Sequence, residues 1–146
     1  MARDTLEKLP HWALALLKEA RVGHLGLADD QGRPRVLPVT YAVCDGALWS
    51  IVDNKPKRAD RELARLRWLR QRPAAALTVD RYDETWSRLA WVQLVGEVAI
   101  VPACEHPGVV SALFARYPQY RADPPPGPLL RLAPARIVCW RADEHG

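Results

Sequence analysis

Apolar residues along the chain change period several times, and each change marks a different kind of element. Leu6, Leu9, Ala13, Leu16, Leu17 and Ala20 recur at three- and four-residue spacing, which predicts an amphipathic helix with a kink or restart at Pro10. From Val22 the pattern becomes that of strands. HLGLA predicts a first strand, ADDQGR a tight turn, RPRVLPVTYAV a second strand, CDG a hairpin turn and ALWSIV a third strand. Pro34 and Pro38 cannot donate to a ladder, so the second strand should have edge or bulge character where they fall. Helical spacing returns at Leu63, Leu66 and Leu69, predicting a helix over 59–70 that Pro73 stops. AAALTVDRY and SRLAWVQLVGEVAIV read as strands around a DETW turn. Val109, Val110, Leu113, Phe114 and Tyr117 make a further amphipathic helix. RADPPPGP is a rigid surface loop, and LLRLAPARIVCWRA closes the chain with one or two short strands.

This order, with hairpin-length connections among the strands, predicts a mainly β fold: a mostly antiparallel sheet closed into a small barrel with flanking helices. The 146 residues suit one domain, residues 1–146, with a single core. No apolar run approaches the roughly 18 residues of a membrane span, and the N-terminus has early charges and no signal-type apolar core. The expectation is a soluble, cytoplasmic protein without a membrane partner. Cys44, Cys104 and Cys139 are far apart and show no metal-ligand spacing, so they read as idle or buried thiols.

Charge changes the picture in one place. From Lys55 to Arg72 there are eight Lys or Arg against Asp60 and Glu62, a balance of +6, while the whole chain carries +4. The arginines of the helix, Arg61, Arg65, Arg67, Arg70 and Arg72, read mainly as a solvated cationic face. DNKPKR differs, because it follows a strand, is stiffened by proline and leads into a helix start. Lys55, Lys57 and Arg58 would converge where free N–H groups already favour an anion. Their mutual repulsion, about 1 kcal/mol per close exposed pair, is relieved by a bound phosphate. A nucleic acid is the competing ligand, but the charge is focused and no helix-turn-helix or RNP-type motif is present. The expectation is no nucleic-acid partner.

Catalytic signatures are missing. The chain has no GxSxG, HExxH or P-loop, and His11, His24, His106 and His145 are scattered. An enzyme of this sequence would leave the hard chemistry to a cofactor.

GRPRVLPVTYAV, LWSIVDNKPKR, RELARLRWLRQRP, AAALTVD and PARIVCW, in this order, resemble the pyridoxamine-phosphate-oxidase-like split β-barrel family, whose fold is FMN-binding-like. KPKR and DETWSRLAWV bring the resemblance closest to its probable coenzyme F420-dependent branch. It covers residues 10 to 141. It implies a homodimer with the cofactor, F420 or alternatively FMN, in a groove at the subunit interface. By position, Leu37, Pro38, Val39 and Thr40 would line the ring or its ribityl chain, as would Ser50 and Val52. Lys55, Lys57 and Arg58 would take the phosphate, and Trp86, Ser87 and Arg88 would reach in from the partner chain. Packing explains Trp86 and Trp91 as simply, and for Trp91 equally well. The implied activity is that of an oxidoreductase transferring a hydride to a small electrophilic acceptor, with Tyr41, Tyr82 and Trp86 as walls for the substrate. A flavin carrier without turnover is the alternative.

Overall fold

The computed structural model describes residues 5–53 and 59–142. A short 3-10 turn, Leu6–Lys8, precedes helix α1, His11–Glu19, and Pro10 stands at the helix N-cap as the predicted restart. Four strands follow: β1 (Gly23–Ala28), β2 (Pro34–Val39), β3 (Ala42–Cys44) and β4 (Ala47–Ile51). Helix α2 runs Ala59–Gln71, then β5 (Ala74–Arg81) and β6 (Ala90–Val101). Helices α3 (Pro107–Arg116) and α4 (Gln119–Ala122) lead to the last strand, β7 (Leu129–Arg141). Among the described residues no helix is long and apolar enough to cross a membrane.

All seven strands join one antiparallel sheet in the order β2-β1-β5-β6-β7-β4-β3. Two expectations change here. The run RPRVLPVTYAV is not one strand: it breaks after Val39, and its halves β2 and β3 lie at opposite edges of the sheet. The closing segment, expected as one or two short strands, is a single long strand of 13 residues. Pro34 and Pro38 do sit on an edge strand, where a missing N–H costs no ladder bond. Because β2 and β3 do not pair among the described residues, the sheet is curled but open, a half-barrel.

The curl gathers apolar side chains from separate strands. Leu25, Leu48, Leu77, Val98 and Leu130, from five different strands, border one small interior cavity. Ala13, Leu16 and Leu17 of α1 and Leu66 and Leu69 of α2 join the same core. Burying each such leucine contributes roughly 1.5 to 3 kcal/mol. A second cluster lies on the outside of the β3-β4-β7 end, where Val109 and Leu113 of α3 cover Ala42, Trp49 and Ile51. This explains why β4 is buried at all five positions instead of alternating: both of its faces are covered.

β6 and β7 form the long ribbon of the fold, and a register shift interrupts it between Val95 and Gly96. Val95 pairs with Arg136 and Gly96 with Pro134, so Ala135 is the extra residue of a bulge that bends the ribbon. Gly96 is required there. A Cβ at this position would lie 2.5 Å from the Ala133 carbonyl oxygen and 3.3 Å from the Ala135 nitrogen. Gly96→Ala should therefore destabilise the protein by about 1 to 3 kcal/mol in urea unfolding. Gly108→Ala, with no atom within 4 Å of the added Cβ, should be neutral or slightly stabilising and serves as the control.

Candidate functional site

The residues marked by the sequence fall into three groups. Lys55, Lys57 and Arg58 lie outside the described residues. Val39, Ser50 and Val52 are buried in the chain's own core, at 6%, 7% and 1% exposure. Their side chains shape the strands from inside and present no surface. Leu37 is half-buried against the same core, while Pro38 is exposed. Thr40 is half-buried, and its carbonyl accepts a 2.7 Å hydrogen bond from Ser50 Oγ. Of the marked residues, Thr40 and Ser50 are thus brought together directly. Tyr41, expected as a wall for the substrate, is fully buried. Burial pushes its hydroxyl pKa up to about 12, and that hydroxyl donates to the Leu17 carbonyl.

Trp86, Ser87 and Arg88 form a 3-10 turn in the β5–β6 loop. Trp86 is 68% exposed and Tyr82 64% exposed, although both are large aromatic groups. The loop beneath them is held by local polar contacts. Asp83 Oδ1 accepts from the Thr85 backbone N–H at 2.7 Å, Arg88 lies 3.4 Å from Asp83 Oδ2, and Arg81 Nε donates to the Arg88 carbonyl at 2.8 Å. The aromatics therefore project from a braced turn.

This turn and Val52 belong to opposite ends of the ribbon. The β5–β6 loop opens beside Ala90 and Arg141, whereas Ile51 pairs with Leu129 and so lies level with Val101. The 12 residues of β6 separate these ends, about 35 to 40 Å of strand contour. Among the described residues no helix packs on the outer face of β2, β1, β5, β6 and the second half of β7. Pro38, His24, Thr78, Gln93 and Val138 stand in register across it. Val36 at 67%, Trp140 at 43% and Val95 at 36% exposure share that face with polar residues, a mixed surface with exposed apolar groups of the kind found at interaction sites.

The arginine helix is partly committed. Arg67 binds the Asp30 carboxylate through Nε and Nη2 at 3.2 and 3.1 Å, and Arg72 Nη1 donates to the carbonyls of Asp29 and Asp30. These two side chains, expected to be solvated, tie α2 to the β1–β2 turn. Arg70 is exposed and lines a cleft of about 490 Å³ with Pro102, Cys104 and the Gly127–Pro128 segment. That segment exchanges backbone hydrogen bonds with Val52, which directly precedes the DNKPKR stretch in sequence. Arg65 Nε is buried with no hydrogen-bond partner among the described residues.

A family model described as pyridoxamine 5'-phosphate oxidase matches residues 9–141. The chain belongs to that family. Solved structures share the half-barrel. An FAD-binding protein from Mesorhizobium loti is 21% identical with a TM-score of 0.67, over 95% of this chain and 97% of its own. An F420 reductase is 22% identical with a TM-score of 0.64, over 89% and 98%. The heme storage protein HutZ from Vibrio cholerae is 16% identical with a TM-score of 0.66, over 87% and 89%. At these identities the likeness is one of fold. No curated protein matches the chain.

Within this pyridoxamine 5'-phosphate oxidase family member, Asp29 anchors the turn that the arginines grip. It is buried, and the backbone N–H groups of Arg33 and Gln31 donate to its Oδ1 at 2.9 and 3.0 Å. Those bonds, the one from Arg33 first, and the nearby Arg33 and Arg35 charges hold its carboxyl below the ordinary value of 3.8, against the opposing effect of burial. A depressed folded-state pKa stabilises the protein above the unfolded value and loses that effect as pH falls through the folded one. Asp29→Asn should therefore lower stability at pH 7 and narrow the difference between pH 7 and pH 3, measured by urea unfolding at both.

Proposed function

We propose that this protein is a homodimeric oxidoreductase that binds coenzyme F420 in a groove between two copies and passes a hydride to a small electrophilic acceptor. The observation that carries the reading is the separation of the exposed Trp86 turn from Val52 along the β6–β7 ribbon. One chain places these two parts at opposite ends, so a site needing both takes the turn from a second copy. The uncovered face supplies surface for that pairing, and the proposed dimer is soluble and cytoplasmic.

The residues fit such a cofactor. Pro38 and the half-buried Thr40 offer an apolar surface and a polar atom side by side, on strands held firm by the buried Val39 and Ser50. Lys55, Lys57 and Arg58 would hold the phosphate. Arg70, exposed beside the segment bonded to Val52, would face the acidic tail that distinguishes F420 from FMN. Bound there, the deazaflavin supplies the hydride chemistry. The chain's own part is to orient the ring, exclude water with Trp86 and Tyr82, and leave one ring face open. FMN in the same groove is the second reading, favoured by the committed state of Arg67 and Arg72, which leaves fewer free cations for a tail.

Titration of purified protein with F420 or FMN, followed by tryptophan-fluorescence quenching, separates these readings. Tight F420 binding without FMN binding is expected, and the reverse result assigns FMN. Lys57→Ala should weaken the bound cofactor by about 1.5 to 3 kcal/mol, the scale of a hydrogen bond to a charged group. Trp86→Ala should weaken binding several-fold while changing stability by no more than about 0.5 kcal/mol, as expected for an exposed side chain. Sedimentation velocity should show a dimer, and a monomer that binds cofactor normally would contradict the shared groove.

A further inference from the structure

Thr40 and Tyr41 are the two residues by which the chain leaves one edge of the sheet and enters the other. Each is held by a tyrosine far away in sequence. The Tyr41 backbone N–H donates to Tyr117 Oη at 3.1 Å, and Arg116 Nε donates to the same oxygen at 3.1 Å. The Tyr117 hydroxyl proton has the carbonyls of Arg21 and Tyr41 within 2.9 and 3.0 Å. A phenol has one proton and two lone pairs, so this hydroxyl is fully occupied.

The second pair is different. Thr40 Oγ1 and Tyr120 Oη share one hydrogen bond of 2.5 Å, and both residues are only half-buried. Two hydroxyls joined by one hydrogen bond use one of their two protons and keep the other. The geometry allows either oxygen to donate; a phenol is the stronger acid, so donation from Tyr120, which leaves Thr40 its O–H, is the favoured arrangement. Ser50 Oγ donates to the Thr40 carbonyl, and among the described residues no partner takes the remaining Thr40 proton.

We infer that Tyr120 is a positioning residue for ligand binding: by donating to Thr40 Oγ1 it turns the threonine O–H outward as a hydrogen-bond donor to an acceptor on the bound flavin or deazaflavin. This rests on the cofactor groove proposed above. Tyr120 packs at the margin of the second apolar cluster, with the rings of Phe114 and Tyr117 at centroid distances of 5.9 and 5.7 Å. Tyr120→Phe keeps those ring contacts and removes only the donor.

The test compares Tyr120→Phe, Thr40→Val, Thr40→Ser and the double variant Tyr120→Phe/Thr40→Val with wild type. F420 and FMN dissociation constants are read by tryptophan fluorescence, alongside the visible spectrum of the bound cofactor and the thermal midpoint. Tyr120→Phe and Thr40→Val should each weaken binding about 3- to 10-fold and shift the bound spectrum, with a near-wild-type midpoint. The double variant should be no weaker than Thr40→Val, and Thr40→Ser should restore wild-type affinity. If wild type binds and Tyr120→Phe binds equally tightly, or if the two effects simply multiply, the positioning role is wrong while the groove stands. If wild type binds neither cofactor, both fall.

Discussion

The contact on which the rest of the molecule depends is the close approach of Gly96 to the Ala133 carbonyl. Strands of 12 and 13 residues, left straight, would make a flat ribbon with one apolar face to hide and nothing to hide it against. The extra residue Ala135 and the bare Cα of Gly96 let the ribbon bend. One half then pairs with β5 and the other runs on to β4. The curl that results gathers Leu25, Leu48, Leu77 and Leu130 into one interior. It also divides the outside into a half covered by α3 and a half left bare.

A second constraint ties two helices to the strand crossover. Arg116, at the end of α3, donates to the carbonyls of Lys18 and Ala20 at the end of α1, and its Nε reaches Tyr117. The Arg116 guanidinium also lies over the Tyr41 and Tyr117 rings. Carbonyls at a helix C-terminus lack intrahelical partners, and a cation there answers both the missing bonds and the dipole. The same cluster fixes Tyr41, whose neutral hydroxyl is spent on Leu17. Two helices and the strand crossover are thereby held as one unit.

Most of the elements were legible from periodicity alone, because each buries one face and so repeats its apolar residues at its own period. The crossover at Thr40 and Tyr41 was not. The prolines of RPRVLPVTYAV mark edge character but not a change of edge; the crossover residues are held by Tyr117 and Tyr120, 76 and 80 residues further on. Pro134 stands at the bulge of β7, where the strand bends without ending. For the candidate site the sequence names positions but not which of their side chains face outward. Position alone cannot tell Ser50, turned inward, from Pro38, turned outward. The exposure of Trp86 and the commitment of Arg67 and Arg72 to the β1–β2 turn also depend on partners remote in sequence.

Pro34 and Pro38 occupy alternate positions on the edge strand β2 with only Val36 of the same parity between them. On an edge the proline nitrogen faces outward, so along that side Val36 alone offers an N–H to an incoming strand. An exposed sheet edge is otherwise a template for uncontrolled pairing between molecules. At the other edge β3 is only three residues long, with α3 packed beside it. Neither margin of the half-barrel invites strand addition. The fold guards itself against fibrillar self-association at its rims, while its bare face remains open to specific contact.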